Sequence, residues 1–352
     1  MEMTRDQLTL VAPALSRRAF LRLGGAAALV AAGGRLARVL PASAQSVTSV
    51  STQLGWLASV AAAGDFVAIE KGYYRDAGID VRIQPGGPAI DPIQNVASGA
   101  AVFGNAASNG ILVNARAQGL PLRAFGTVLQ RHPFAFFYLQ ESGIRTPRDF
   151  EGKTIGIQPT ARPLLQAVLK RHQIAEDRVR VVFVGGDISP LLVKRVDVIT
   201  GWVVDRLPQF ENQGFGGSIR YLRLWDLGIR MYAYVYFTTD QVLRDRRDLV
   251  TRFLSASAKG WMYAREQPVE AADIVIRRTT GLDRSIELRT LQNQIPYMTS
   301  IATRQRGWGY MEPKVWSDLI ETYRALDQIP KTVAVDEVAT NEFVEMAKTP
   351  KV

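Results

Sequence analysis

The sequence of 352 residues contains no cysteine and only two histidines, His132 and His172. The absence of cysteine excludes disulfides, thiolate metal sites, a cysteine nucleophile and the cysteine anchor of bacterial lipoproteins. Neither a Ser-His-Asp order nor an HExxH motif nor a phosphate-binding glycine loop is present. His132 precedes a proline and His172 stands at a predicted helix end, so neither residue indicates catalysis. We therefore expect no enzyme activity, no metal and no cofactor.

Long apolar runs are also missing. The segment SRRAFL, at residues 16–21, resembles the twin-arginine export signal, and a mild apolar run follows at residues 23–34. This run is too short to span a membrane, since a spanning helix needs about twenty residues. Residues 42–44, ASA, match the small-residue cleavage pattern. We expect residues 1–44 to be a signal peptide that is removed near Ala44, and the mature protein to be free in the periplasm.

A basic stripe is the third missing feature. The formal net charge is +10, but six arginines and two acidic residues in the first 44 positions supply +4 of it. The remaining chain carries 10 − 4 = +6, and its arginines alternate with aspartates. Because nucleic-acid binding needs clustered positive charge, we expect no nucleic-acid partner.

Short β-branched segments alternate with helical segments over much of the chain, which is typical of parallel sheets covered on both faces. The clearest unit is 152–165: residues 154–157 predict a buried strand, and the prolines at 159 and 163 then end it and open a helix at Pro163. A further buried strand is predicted at 179–184. Residues 122–139 are predicted to leave the first α/β unit as one or two strands, and residues 231–238 to return as another.

Four segments carry a resemblance to a known group when taken in order: GYYRDAGIDV at 72–81, VASG at 96–99, DFEGKTIG at 149–156 and VDVITGW at 196–202. Together they resemble the alkanesulfonate/thiamine-pyrimidine group of ABC-transporter solute-binding proteins. The resemblance implies a type II periplasmic-binding fold, with two α/β lobes joined by two crossing strands and the ligand held between them. The implied lobes are 46–130 with 239–352, and 131–238. The implied partner is a membrane permease, and we expect a monomer.

Ligands of open α/β sheets lie beyond the carboxyl ends of the strands, so the loops at those ends hold the candidate binding residues. These candidates are Trp56, Asn105, Ser108, Gln158, Thr160, Arg162, Asp187, Trp202 and Asp205. The two tryptophans, one from each implied lobe, suit stacking on a flat ring. The neutral side chains suit pairing with ring nitrogens or carbonyls, and either aspartate suits an amine.

This set of side chains favours an aromatic heterocycle, such as a thiamine-pyrimidine precursor or riboflavin. The segment QPTARPLL, at 158–165, is similar to members of the group assigned to such uptake. A second hypothesis is a sulfonate, a nitrate or an aromatic carboxylate, held by Arg162 and the N-terminus of the following helix. The sequence is also compatible with a receptor for a sensory partner. A pyrimidine-synthase-like enzyme is disfavoured by the missing cysteine.

Overall fold

The structure is a computed structural model that describes residues 47–87 and 90–352. The predicted signal peptide, residues 1–44, lies outside these two stretches, so the export signal and its cleavage site stay predictions. Within the two described stretches, every helix is too short or too polar to cross a membrane.

The first lobe is built on a five-stranded sheet with the order β2-β1-β3-β10-β4. Its strands are β1 (Thr48–Gln53), β2 (Ile79–Gln84), β3 (Phe103–Ala106), β4 (Leu122–Leu129) and β10 (Ala233–Thr239). Strands β1, β2 and β3 are parallel, whereas β10 lies antiparallel between β3 and β4. The early helices of this lobe are α1 (Ala63–Glu70), α2 (Tyr73–Asp76), α3 (Pro92–Ala97) and α4 (Asn109–Ala117).

The second lobe repeats this plan in a sheet with the order β7-β6-β8-β5-β9. Its strands are β5 (Phe134–Leu139), β6 (Thr154–Ile157), β7 (Arg180–Phe183), β8 (Val198–Trp202) and β9 (Ile219–Arg223). Here β5 is the antiparallel strand, between β8 and β9. The helices of this lobe are α5 (Arg162–Arg171), α6 (Ser189–Leu192) and α7 (Val203–Asn212).

The chain crosses between the lobes twice, at residues 130–133 and 224–232, as the resemblance implied. In each sheet the antiparallel strand is the one that arrives from the other lobe. The predicted parallel pairing is confirmed for β1, β2 and β3 and for β6, β7 and β8. Each sheet also contains one antiparallel strand, which the sequence did not predict, because the strand from the other lobe enters in the opposite direction. One lobe boundary differs from the implied one. The second lobe does not extend to residue 238, because β10 pairs with β3 and β4 of the first lobe.

The remainder of the chain is helical and packs on the first lobe. These helices are α8 (Asp240–Asp245), α9 (Arg247–Glu266), α10 (Pro268–Arg278), α11 (Arg284–Gln294), α12 (Ile301–Arg306), α13 (Pro313–Ala325), α14 (Val335–Val338) and α15 (Glu342–Ala347). The longest, α9, lies against α1 and buries one face that includes Phe253 and Trp261. A second apolar core runs from α4 of the first lobe to β5, β6 and α5 of the second, so the lobes share buried contacts near the crossings.

The predicted joint between a strand and a helix at 152–165 is confirmed. β6 spans Thr154–Ile157, a 3₁₀ turn covers Pro159–Ala161, and α5 begins at Arg162, one residue before the predicted start. The predicted burial of the strand at 179–184 is wrong, because β7 lies at the sheet edge and Phe183 is 60% exposed. An edge strand has a neighbour on one side only, and its position cannot be read from its own apolar residues.

Candidate functional site

The ends of β1, β2 and β3 meet in the first lobe. Gly55 follows β1, and a Cβ at this position would lie 2.5 Å from the backbone oxygen of Asn105. Glycine is therefore required for the β1 loop to lie against the end of β3. The backbone oxygen of Trp56 accepts a hydrogen bond from the Gly86 N–H at 3.0 Å. These contacts fix the backbone of Trp56 where the strands end, and its indole is 38% exposed.

Two predicted polar residues, Asn105 and Ser108, are buried at the end of β3. The Asn105 amide nitrogen, Nδ2, has no hydrogen-bond partner among the described residues, and the Ser108 hydroxyl makes no capping bond to α4. The next residue, Asn109, accepts a hydrogen bond from the Tyr232 N–H at 3.0 Å and so ties α4 to the second crossing. Asn105 and Ser108 therefore keep unused hydrogen-bonding capacity at the predicted position.

His132, at the first crossing, connects the two predicted halves of the site. Its ring is buried, and Nδ1 accepts a hydrogen bond from the Phe134 N–H at 3.2 Å. Burial lowers the pKa of His132 to about 3, so the ring is neutral at pH 7. The Trp202 ring lies edge-on to it, with centroids 5.5 Å apart. Trp202 packs against apolar cores on both sides of the crossing.

In the second lobe, Gln158 holds three strand ends together. Its amide nitrogen donates to the backbone oxygens of Gly185 and Thr200 at 3.2 and 3.3 Å, and its amide oxygen accepts from the Thr200 hydroxyl at 3.1 Å. Asp187 accepts hydrogen bonds from the Ser189 N–H and hydroxyl at 3.0 and 2.8 Å, and these bonds lower the pKa of Asp187. Both predicted residues thus organise their own loops, whatever they offer to a ligand.

Arg162 lies beside an acid of its own lobe. Its guanidinium is 3.1 Å from the Glu176 carboxylate, to which Gln166 also donates at 3.1 Å. Thr160 is exposed on the 3₁₀ turn that precedes α5. An anion held by Arg162 would therefore have to compete with Glu176, and the structure does not place this guanidinium with the other predicted residues.

A pair of carboxylates, one from each lobe, lies where α7 meets α11. Asp205 is in the first turn of α7, and its Oδ1 is buried and accepts no hydrogen bond from the described residues. Glu287 on α11 accepts a hydrogen bond from the Val60 N–H at 3.0 Å. Burial raises the pKa of both groups, and the charge of Asp205 further raises that of Glu287. Asp205 was predicted, whereas Glu287 was missed, since it lies 227 positions from its partner Val60.

Besides the shared apolar core near the crossings, polar contacts join the lobes on two sides. On one side the Asn293 side chain donates to the backbone oxygen of Val204 at 3.4 Å, and on the other side Lys170 pairs with Asp327 at 2.6 Å. A groove of about 540 Å³ lies beside the Lys170–Asp327 pair. Its described lining contains no aromatic side chain and includes Glu176, the acid that pairs with Arg162. We therefore place the candidate site on the side of Asp205 and Trp202.

A second missed feature supports the first lobe behind this site. Asp65, buried on α1, accepts hydrogen bonds from the hydroxyls of Tyr74, Tyr234 and Tyr236 at 3.1, 3.2 and 2.7 Å. Burial outweighs these bonds and raises the pKa of Asp65 to about 6. Tyr234 has a φ of +55°, a costly conformation for a non-glycine residue, just after the second crossing. Asp65 thus joins α1 to the strand that returns from the second lobe.

Acidic residues and histidines do not form a group suited to a metal ion anywhere in residues 47–87 and 90–352. The candidate residues consist instead of indoles, neutral polar side chains and carboxylates, with the buried Arg206 beside Asp205. They offer surfaces for stacking and acceptors for hydrogen bonds, and the described residues among them include no arrangement of nucleophile and base.

Two α/β lobes, each with a mixed sheet, two crossings and facing strand ends, define the periplasmic-binding-protein fold. The sequence model of the family described as "NMT1/THI5 like" matches residues 60–271, which is more than half of the chain. The chain therefore belongs to the NMT1/THI5-like family. This finding and the fold confirm the group that the four sequence segments resembled.

Relatives of this chain include binding proteins and a protein named as an enzyme. The chain is 27% identical over 315 residues to the riboflavin-binding protein RibY of Chloroflexus aurantiacus, covering 86% of this chain and 88% of that protein. It is 23% identical over 299 residues to a formylaminopyrimidine-binding protein of Halalkalibacterium halodurans, covering 83% and 90%. It is also 24% identical over 265 residues to the 4-amino-5-hydroxymethyl-2-methylpyrimidine phosphate synthase of Legionella pneumophila, covering 74% and 83%.

Solved structures show the same fold at low identity. The periplasmic aliphatic sulphonate binding protein SsuA of Escherichia coli superposes with a TM-score of 0.64 at 15% identity, covering 84% of this chain and 99% of that one. The desulfurization enzyme DSZB superposes with a TM-score of 0.54 at 17% identity, covering 86% and 99%. One fold thus serves binding proteins and an enzyme, so the function must be argued from the site.

Proposed function

We propose that this protein binds a small aromatic heterocycle between its two lobes and delivers it to an ABC importer in the inner membrane. One observation carries the proposal: each lobe contributes one indole and one carboxylate. Trp56 and Glu287 belong to the first lobe, and Trp202 and Asp205 belong to the second. Indoles bind flat rings by stacking, and carboxylates accept hydrogen bonds from ring N–H or amino groups.

The charges of the site favour this solute over an anion. Asp205 and Glu287 would repel a sulfonate, a nitrate or a carboxylate. The two arginines nearby already have partners: Arg162 pairs with Glu176, and the buried Arg206, beside Asp205, donates to the Gly186 backbone oxygen and to Gln209. Riboflavin and a thiamine-pyrimidine precursor both carry ring nitrogens and exocyclic donors or acceptors. The similarity to the riboflavin-binding and formylaminopyrimidine-binding proteins supports the same class of solute.

Binding without catalysis is also part of this proposal. The chain has no cysteine. His132 uses Nδ1 as an acceptor for the Phe134 N–H, and its low pKa leaves it a poor base at pH 7. A pyrimidine-synthase-like activity would need a reactive group that these residues do not supply.

The remaining parts of the proposal concern location and partners. We propose export by the twin-arginine route, removal of the signal near Ala44, and a monomer that meets a permease when its lobes close on the solute. A receptor that signals to a sensory partner would use the same fold and the same closure. Loss of solute uptake after deletion of the gene would favour transport, whereas intact uptake with a lost behavioural response would favour sensing.

A thermal-shift screen of the purified protein tests the solute class, because a ligand that binds only the native state raises the midpoint of unfolding. The panel consists of riboflavin, 4-amino-5-hydroxymethyl-2-methylpyrimidine, an aromatic carboxylate, an alkanesulfonate and nitrate. We expect a concentration-dependent rise with a ring compound and none with the alkanesulfonate or nitrate. The opposite pattern would reject the heterocycle and restore the anion hypothesis.

A further inference from the structure

One face of α11 carries buried polar groups that the protein itself leaves without partners. Gln294 is fully buried, at 0% exposure, and neither its amide nitrogen nor its amide oxygen is hydrogen-bonded to any residue in the described part of the chain. The buried Thr290 hydroxyl, one turn earlier, is in the same condition. Each such group lowers stability, because the loss of its hydrogen bonds to water is not compensated. Two such groups on one face of α11 indicate that this face serves a purpose other than stability.

The direction of this face follows from helix geometry. Asn293 points to α7 of the second lobe, because it donates to Val204, and Glu287 points to the first lobe, because it accepts from Val60. At 3.6 residues per turn these two directions are about 120° apart around α11. Thr290 lies midway between them, and Gln294 lies between Thr290 and Glu287.

Thr290 and Gln294 therefore lie on the part of α11 between its contact with the second lobe and its contact with the first lobe. A second contact supports this orientation, since Arg289, on the side of Asn293, pairs with Glu211 of α7 at 3.3 Å. From the opposite side Asp205 presents a buried carboxylate oxygen that also has no partner among the described residues. Three residues from two lobes, on the two helices α7 and α11 that contact each other, thus carry buried hydrogen-bonding atoms without partners among the described residues.

We propose that Thr290, Gln294 and Asp205 form the subsite that recognises the hydrogen-bonding edge of the solute. The amide of Gln294 offers one donor and one acceptor side by side, and Asp205 offers an acceptor. The complementary edge is a ring N–H or amino group next to a carbonyl or a ring nitrogen, as in a lactam, a cyclic ureide or an aminopyrimidine. This inference rests on the proposed function and deepens it from an aromatic ring to a ring with a donor beside an acceptor.

Methylation of the donor tests the inference, because it removes the N–H and keeps the ring. We compare riboflavin with its N3-methyl derivative, and a 4-aminopyrimidine with its 4-dimethylamino analogue, by calorimetric titration of the full protein. The methylated compound should bind at least about tenfold more weakly than its parent, since it leaves a buried acceptor unpaired. The penalty should shrink in Gln294→Met, which keeps the side-chain volume and removes the amide.

Two isosteric variants separate this role from a structural one. Thr290→Val and Gln294→Met should each weaken ring binding by about three- to tenfold, while the unliganded protein unfolds at the same or a higher denaturant concentration. The matched control is Thr238→Val, whose buried hydroxyl donates to the Val102 backbone oxygen. This control should lower stability and leave affinity unchanged.

The possible results test the subsite and the proposed function separately. Ring compounds that bind equally with and without the methyl groups would overturn the subsite and leave the proposed function intact. Ring compounds that do not bind at all would overturn both. Thr290→Val or Gln294→Met proteins that lose stability as Thr238→Val does would show that these groups are structural, which also overturns the subsite.

Discussion

The imidazole of His132 lies edge-on to the indole of Trp202, with ring centroids 5.5 Å apart and ring planes at 76°. This contact joins the first crossing to the end of β8. Because the same imidazole accepts a hydrogen bond from the Phe134 N–H, one buried neutral ring holds the start of β5 beside the end of β8. A movement of one lobe relative to the other must be accommodated at this contact.

Replacing His132 by phenylalanine keeps the ring packing and removes the hydrogen bond to the Phe134 N–H. We expect His132→Phe to lower the free energy of unfolding by about 1–3 kcal/mol, since the Phe134 N–H loses a buried partner. Denaturant unfolding at pH 7 measures the effect. The control is His172→Gln at the end of α5, which should stay within about 0.5 kcal/mol of the wild type. Equal stability of His132→Phe and the wild type would contradict the linking role.

The raised pKa of Asp65 leads us to expect a loss of stability as the pH rises. Its pKa is raised from 3.8 to about 6, so the stability associated with the neutral carboxyl is present below about pH 4 and is lost as the pH rises to 6. Relative to Asp65→Asn, the wild type should lose up to about 3 kcal/mol between pH 4 and pH 7. Unfolding of both proteins at the two pH values measures this difference, in which the other titrating groups cancel. A difference that does not change with pH would contradict the assignment.

Local signals predicted the parts of the fold that depend on neighbouring residues. The prolines at 159 and 163 defined the joint between β6 and α5, because each proline restricts the residue before it. The crossings and the two lobes followed from the order of four segments. The exposure of β7 was missed because it depends on which strand lies at the sheet edge, and β10 was assigned to the wrong lobe because strand pairing is also a long-range property.

The sequence suggested some residues of the candidate site. It did not suggest the others, because they lie far along the chain from the residues that they contact. Trp56 follows β1, Trp202 ends β8 and Asp205 lies in the first turn of α7, so the rule about strand ends selected them as candidates. Glu287 and Gln294 lie near the start and at the end of a helix in the C-terminal part of the chain, where a polar residue ordinarily indicates a solvated face. Only the packing of α11 against α7 shows that this helix faces the other lobe.

The two tryptophans should contribute stacking energy to ring binding. Trp56→Ala and Trp202→Ala should each weaken binding of a ring compound by about ten- to a hundredfold, as expected for loss of one aromatic stacking contact. Calorimetric titration measures the change. The matched control is Trp225→Ala, since this half-buried indole packs against Arg230 with 5.7 Å from the guanidinium to the ring centroid. If both site variants bind as the wild type does, the stacking model is wrong.

Arg162 distinguishes the two classes of solute. Its surface ion pair with Glu176 is worth at most about 1 kcal/mol, so Arg162→Ala should hardly change stability. Affinity for a ring compound should stay within about twofold of the wild type, as it should for Arg180→Ala, the change of an exposed arginine on β7. A loss of binding in Arg162→Ala alone would show that this guanidinium contacts the solute and would favour an anion.

The central claim is that the two lobes hold a neutral heterocycle rather than an anion, and one calorimetric titration tests it most directly. The purified protein is titrated with riboflavin, with the hydroxymethyl aminopyrimidine and with an alkanesulfonate under identical conditions. The account predicts a saturable isotherm with one site per chain for at least one ring compound, and no binding of the sulfonate. Saturable binding of the sulfonate without binding of either ring would contradict it.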